Sequence, residues 1–325
     1  MKKILYSMLI FLLILLNFST VCADDVDNEV DFEDTIEVTA SNVSELPKTN
    51  SRRYIVYDRI SKSMIIGKNE DIKSAMASTT KIMTTIVILE KADLNETVTV
   101  SAKAGGTGGS RLGLKRGDKA SVRDLLYGLM LRSGNDAAVA LAEHVGGSVK
   151  ELAELMNEKA SELGLTNTHF VTPHGLDDAN HYTTALELAK LTDYAMNNET
   201  FSKIVGTKSI TIYINNQPRQ INNTNELLGV LNGVVGVKTG FTNNAGRCLV
   251  TETKRNNMDI ITIVLGADTK KDRTKDSVNL IEYTYSKYKM YNIEEKIIEE
   301  FNKWKNINEK RILITKGKQS NPKLA

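Results

Sequence analysis

Apolar positions along the chain change period twice, and the changes divide it into three stretches. "RRYIVYDRISKSMIIGKNE" carries two β-rich runs, Tyr54 to Tyr57 and Ser63 to Ile66, on either side of a polar turn, which predicts a hairpin. The period then becomes helical. "STTKIMTTIVILEKA" sets Ile82, Ile86 and Leu89 at helical spacing, "SVRDLLYGLMLRS" repeats it, and "NDAAVALAEHV" and "SVKELAELMNEKASELGL" continue it. Gly146-Gly147 and Gly164 read as helix stops, and "TTALELAKLTDYAMNN" as a further helix capped by Thr183 or Thr184. Strands return after Phe201. "SITIYINNQPRQI" reads as a hairpin, "GVVGVKTG" and "GRCLVTETKRNNMDIITIVLGA" as strands around a turn at Asn256-Asn257, and an amphipathic helix runs from about Arg273 to Lys289.

Hairpin, helical block, meander and helix in that order predict an α+β fold. Its antiparallel sheet is assembled from two parts far apart in sequence, flanked by helices, with a helical subdomain inserted between the parts. No internal repeat is visible. In the tail, residues 289–325, "NIEEKIIEEFNKWKNI" predicts a helix with Ile293, Ile297, Ile298, Phe301 and Trp304 on one side, and "RILIT" a short strand. So short a tail cannot form a sandwich domain of its own. Its glutamates favour packing against the main unit; association with a membrane surface is the competing reading.

Composition narrows the class. With 325 residues, 41% hydrophobic and 25% charged, the chain can bury a sizeable core and is neither disordered nor fibrous. The formal charge of +2 is matched by Lys2 and Lys3 alone. No basic stripe, zinc-finger spacing or aromatic-basic strand motif is present, so no nucleic-acid partner is expected. Lys2-Lys3, the apolar run Ile4 to Leu16 and the small residues Val21-Cys22-Ala23 have the layout of a secretory signal peptide over residues 1–23, and the run is short for a spanning helix. Residues 24–51, with eight acidic side chains from Asp24 to Glu37, read as a flexible acidic leader to a catalytic unit at 52–288. Cleavage after Ala23 would leave Cys248 as the one cysteine, without an intrachain disulfide. "AGRCLVTE" reads as a strand whose thiol packs inward.

Within "ASTTKIMTT", Ser78 and Lys81 stand three residues apart. On spacing alone the pair is ordinary. Two further motifs change its meaning: "LRSGNDAA" puts Ser133-Gly134-Asn135 between two helices, and "VKTGFT" puts Lys238-Thr239-Gly240 at the end of a strand. The ordered set S-x-x-K, S-x-N, K-T-G is shared by penicillin-binding proteins and class A β-lactamases. A serine hydroxyl needs a base to become a nucleophile, and an i, i+3 spacing stacks Lys81 beside Ser78 on one helix face. Such a lysine must be neutral part of the time; burial and a second ammonium, for which Lys238 is the candidate, both favour that. The Ser78 N–H at a helix start can serve as one oxyanion donor, and an edge strand can supply another.

From about Tyr54 to Tyr288 the chain resembles the serine-type D-alanyl-D-alanine carboxypeptidases of the low-molecular-mass penicillin-binding protein group. Beyond the three motifs, "GSRLGLKRGD", "SGNDAAVALAEHVGGS", "LGLTNTHFVTPHGLD", "NTNELL" and "KTGFTNNAG" are similar to the group's stretches in the same order. The resemblance implies a β-lactamase/transpeptidase-like fold and a secreted enzyme at the cell-wall face. It implies action on the D-Ala-D-Ala end of peptidoglycan stem peptides, with β-lactams as covalent inhibitors. Carried over, Ser78 is acylated with Lys81 as base, Ser133 relays a proton with help from Lys238, and Asn135 holds the substrate amide. Thr239, after Lys238 and before Gly240, receives the terminal carboxylate with Arg273, and the N–H of Phe241 completes the oxyanion hole. Thr224 and Phe241 stand where some relatives carry arginine and histidine.

Two other readings keep the same motifs. A class A β-lactamase needs a glutamate to activate water, and Glu162 to Asn167 imitates its E-x-x-L-N loop, although Glu162 falls in the last turn of a helix stopped by Gly164. A sensing or wall-binding module could acylate and stall. No metal or cofactor is expected: His169, His174 and His181 lack an H-E-x-x-H helix, and in "TPHGLDD" His174 and Asp177 are expected to fix each other. The glycine-rich "GGTGGSRLGLKRGD" has no G-K-[ST] for a phosphate cradle and reads as a rim of the active site, with Arg111 facing substrate.

Overall fold

The computed structural model describes residues 45–289 and 296–308. The signal peptide, most of the acidic leader and the "RILIT" strand lie outside the described residues. Two compact units are present, one ending at Lys287 and one beginning at Tyr288. In the second, residues 296–308 are helical, with the Phe301 and Trp304 rings stacked at 5.9 Å. No described helix is long and apolar enough to cross a membrane.

The first unit is built on one five-stranded antiparallel sheet. In chain order its strands are β1 (Arg53–Asp58), β2 (Ser63–Lys68), β7 (Val234–Thr242), β8 (Gly246–Arg255) and β9 (Met258–Ala267), and in space they run β2-β1-β9-β8-β7. As expected, the sheet joins the two distant parts of the sequence: β1 pairs with β9 from Arg53↔Leu265 to Asp58↔Ile260. Between them lie α1 (Lys81–Lys91), α2 (Ala102–Gly105), α3 (Val122–Leu131), α4 (Asn135–Gly146), α5 (Val149–Glu162), α6 (Ala185–Met196) and α7 (Glu199–Val205). Two small two-stranded sheets join them, β3 (Thr97–Thr99) with β4 (Lys119–Ser121), and the hairpin β5 (Ser209–Ile214) with β6 (Gln217–Asn222). A final helix α8 (Lys270–Lys287) closes the unit.

Local chemistry explains these boundaries. Asn215-Asn216 and Asn256-Asn257 all take positive φ, from 50° to 62°, the conformation that a two-residue hairpin turn requires and asparagine tolerates. Ser121, Ser148 and Thr184 cap α3, α5 and α6 by accepting a backbone N–H three residues on. Three expectations shift. The stretch around Phe201 is helical, because Asn198 accepts the Phe201 N–H and starts α7 before the strands return. The last helix begins at Lys270, since Thr269 accepts the Asp272 N–H as its cap. Ordered structure begins before Arg52: Ser51 gives its N–H (2.8 Å) and hydroxyl (2.5 Å) to Asp276.

Helix α1 is the centre of the core. Ile82, Met83, Ile86, Val87 and Ile88 are all at most 1% exposed, so it is covered on every side over these turns. Alternate residues of β8 face opposite layers. Cys248 and Val250 join the main core with α1, whereas Leu249 packs with Val278 of α8. Cys248 is fully buried, as its strand context predicts.

Candidate active site

Ser78 sits in a 3-10 turn, Ala77–Thr80, that runs into α1. The turn is held by Thr79 and Thr80, whose hydroxyls donate to Met76 O (2.6 Å) and Ala77 O (2.8 Å). Ala77 takes a φ of 48°, uncommon for a residue with a Cβ and a local strain borne beside the serine. One turn on, Lys81 is fully buried, and its Nζ donates to Ser78 Oγ at 2.7 Å, Asn135 Oδ1 at 2.8 Å and His174 O at 3.0 Å. The first two motifs, 54 residues apart in sequence from Lys81 to Asn135, therefore meet on one ammonium group.

Ser133 and Asn135 come from the turn between α3 and α4. Ser133 is nearly buried, with φ 57°, and Gly134 caps α4. The Asn135 carboxamide is fixed at both ends: Oδ1 accepts from Lys81, and Nδ2 donates to Gly108 O at 2.8 Å. Its orientation is thus decided by the loop before β4. That loop is anchored by Asp136, whose buried carboxylate accepts the N–H groups of Leu112 (2.8 Å), Gly113 (2.7 Å) and Leu114 (2.9 Å). Sequence reasoning passed over Asp136, although an acidic residue in a first helical turn beside a glycine-rich loop is the available signal. The loop does border the site, but Arg111 does not face into it along its described bonds: it donates to Gly105 O and, at 3.5 Å, to Leu114 O of its own loop.

The third motif arrives on β7, an edge strand. A Cβ added at Gly240 would stand 3.0 Å from Ser78 N and 3.2 Å from Ala77 Cβ, so glycine lets the strand lie against the serine turn without displacing it. Lys238, 1% exposed, donates to Thr239 O at 2.9 Å, and the Thr239 and Thr224 hydroxyls bond at 2.8 Å. Arg273 lies in the first turns of α8, 1% exposed, with Nη2 3.2 Å from Glu226 Oε2. Phe241 follows Gly240 on the edge strand, and Arg247 stacks on its ring at 3.8 Å from the centroid.

The loop from Phe170 to His181 closes the rear of the site. His181 Nδ1 accepts from Val171 N at 2.9 Å, so its proton is on Nε2, which faces Thr80 Oγ1 at 2.7 Å. His174 Nδ1 accepts from Leu176 N at 3.2 Å. Burial, reinforced by Lys81, pushes His174 down to about 3, and burial pushes His181 down to about 4, so both rings are neutral at pH 7. Asp177 does not fix His174, contrary to expectation. Its carboxylate accepts from Thr242 Oγ1 at 2.6 Å and Asn244 N at 3.3 Å, tying the loop to the β7–β8 turn. Glu162 pairs with Lys159 at 2.6 Å with 62% of its side chain exposed, the position of a surface glutamate. Among the described residues no group of three or more His, Cys, Asp or Glu could hold a metal ion.

This arrangement can activate a hydroxyl beside an amine, orient an amide and place backbone N–H groups near a developing oxyanion. The Peptidase S11 family, D-alanyl-D-alanine carboxypeptidase, matches residues 39–269. The chain is 36% identical over 243 residues to D-alanyl-D-alanine carboxypeptidase DacF of Bacillus subtilis, covering 73% of this chain and 62% of that one. It is also 36% identical over 237 residues to the D-alanyl-D-alanine carboxypeptidase of Streptomyces sp. K15, covering 67% and 81%. The crystal structure of the Streptomyces K15 DD-transpeptidase superposes with a TM-score of 0.70 at 33% identity, over 74% of this chain and 99% of that one. The match to DacF and to the DacC enzyme of Escherichia coli spans under two thirds of those relatives' lengths, 62% and 64%.

Proposed function

Because the chain belongs to the S11 family of D-alanyl-D-alanine carboxypeptidases, we propose that it is a serine carboxypeptidase of the cell-wall face that removes the terminal D-alanine of peptidoglycan stem pentapeptides. The observation that carries this reading is the 2.7 Å contact of Lys81 Nζ with Ser78 Oγ, inside the same buried cluster as Asn135. Ser78 Oγ attacks the carbonyl of the penultimate D-alanine as Lys81 takes its proton. The oxyanion is received by the N–H groups of Ser78 and Phe241. Ser133, aided by Lys238, passes a proton to the leaving amine, while Asn135 holds the substrate amide and Thr239 and Arg273 the terminal carboxylate. Water then attacks the ester and frees Ser78. β-Lactams acylate the same serine and block it. The signal-peptide layout of residues 1–23 supports a position outside the cytoplasmic membrane.

A second reading is favoured by the structural match to a protein named a DD-transpeptidase. The acyl-enzyme is the same, and an amine replaces water as the acceptor. Intact-mass measurement with penicillin over time, paired with D-alanine release from a stem peptide, tests the proposal. A persistent adduct lost in Ser78→Ala, together with D-alanine release, is expected. No adduct refutes the mechanism; rapid loss of the adduct points to a β-lactamase; a stable adduct without turnover points to a sensor. Exchange of the released D-alanine for an added amine would identify transpeptidation.

A further inference from the structure

The face of β7 that carries Thr239 also carries Phe241, because side chains two apart on a strand share a face. Across the ladder these residues pair with Leu249 and Arg247 of β8. Leu249 packs with Val278, so this face looks toward α8, whereas Gly240 looks the other way, onto Ser78. Thr239 and Arg247 are diagonal neighbours on this face, about 7–8 Å apart and within reach of a long side chain. The Arg247 guanidinium lies over the Phe241 ring, its carbon 3.8 Å from the centroid, and the residue is partly exposed. Stacking of this kind orients the planar donor fork at little further entropic cost. Arg273 of α8 is buried against Glu226, which Lys270 also approaches at 3.3 Å.

We propose that Arg247, positioned by Phe241, is a specificity-determining residue that reads the free carboxylate at the C-terminal end of the substrate. The proposal rests on the carboxypeptidase reading and adds to it a residue outside the three motifs. A stem ending in D-alanine brings a carboxylate to Thr239 and gains a charge-assisted contact from Arg247. A peptide whose terminal carboxyl is capped as a primary amide brings no charge there and gains none. Arg247 therefore biases the enzyme toward peptides that end in a free carboxylate.

The test compares KM and kcat for release of D-alanine from an N-acylated D-alanyl-D-alanine peptide with release of D-alaninamide from its C-terminal carboxamide. Wild type, Arg247→Gln, Arg247→Lys and Phe241→Leu are measured, with Lys150→Gln as a matched charge control on α5, where the side chain is 87% exposed. Arg247→Gln is expected to raise KM for the acid about tenfold, leave its kcat within about twofold, and move KM for the carboxamide less than about twofold. Arg247→Lys should recover part of the loss, Phe241→Leu should raise KM for the acid about threefold, and Lys150→Gln should change neither substrate. Equal KM shifts for acid and carboxamide, or a fall confined to kcat, would overturn the assignment. If wild type releases neither product, the carboxypeptidase reading fails separately. Arg247 is then read from the acylation rates of benzylpenicillin and its methyl ester, whose ratio should fall about tenfold in Arg247→Gln. An unchanged ratio overturns it.

Discussion

Two buried polar clusters each hold cations, beside different sets of acceptors. Around Ser78, the Lys81 ammonium is met by a hydroxyl, a carboxamide oxygen and a backbone carbonyl, and Lys238 by the Thr239 carbonyl. Around Arg59, where β1 ends beside α6, the guanidinium is met by carboxylates: Glu252, Asp259 at 2.9 Å and Asp193 at 3.0 Å, with Lys62 and Lys254 completing the set. Neutral dipoles hold an amine in place without the strong preference for its charged form that an adjacent carboxylate imposes. The proposed mechanism needs Lys81 to give up its proton, a step that an adjacent carboxylate would oppose. Matched ions do the reverse and lock the end of the sheet, because removing one partner strands the others in a dry environment. The first cluster is the one proposed to transfer a proton, and the second holds the end of the sheet rigid.

Substitution of the two cations should separate these roles. Lys81→Met is expected to slow acylation by penicillin about 10³-fold while leaving the fold intact, read by intact mass against time and by thermal denaturation. Near-normal acylation would remove Lys81 as the base. Arg59→Met should instead cost about 3–5 kcal/mol in chemical denaturation, with normal acylation per folded molecule, because Glu252 and Asp259 lose their buried partner. A cost below about 1 kcal/mol would mean the cluster is not a matched set.

The smallest effect is a pH dependence. Burial, then Asp259, pushes Glu252 from its ordinary 4.5 up to about 7. With the folded value raised, its contribution is complete below 4.5 and is lost as pH rises through about 7. Relative to wild type, Glu252→Gln should therefore gain stability across that window. His174 and His181, lowered from 6.5 to about 3 and about 4, act oppositely: their contribution is complete above 6.5 and is lost as pH falls through the lowered values. They are common to both proteins and cancel in the difference. A gap between the two melting curves that does not vary with pH would refute the role given to Glu252.

The amino-acid sequence by itself determined most of the elements and marked the residues to which the proposed chemistry is assigned. Period changes located the hairpin, helical block and meander, Asn256-Asn257 marked a turn, and three short motifs picked out Ser78, Lys81, Ser133, Asn135 and Lys238. Those signals are local, carried by side-chain alternation, capping groups and residue type, which is why they survive without coordinates. Only the tertiary structure showed that Lys81 meets Asn135, that Asp136 anchors the loop orienting it, and that Asp177 ties to Thr242 and not His174. It also turned Arg111 back onto its own loop and stacked Arg247 on Phe241. These contacts depend on which backbone groups packing brings within hydrogen-bond distance. Asp136 finds three N–H groups and Arg111 two carbonyls through loop conformation, which no residue spacing encodes.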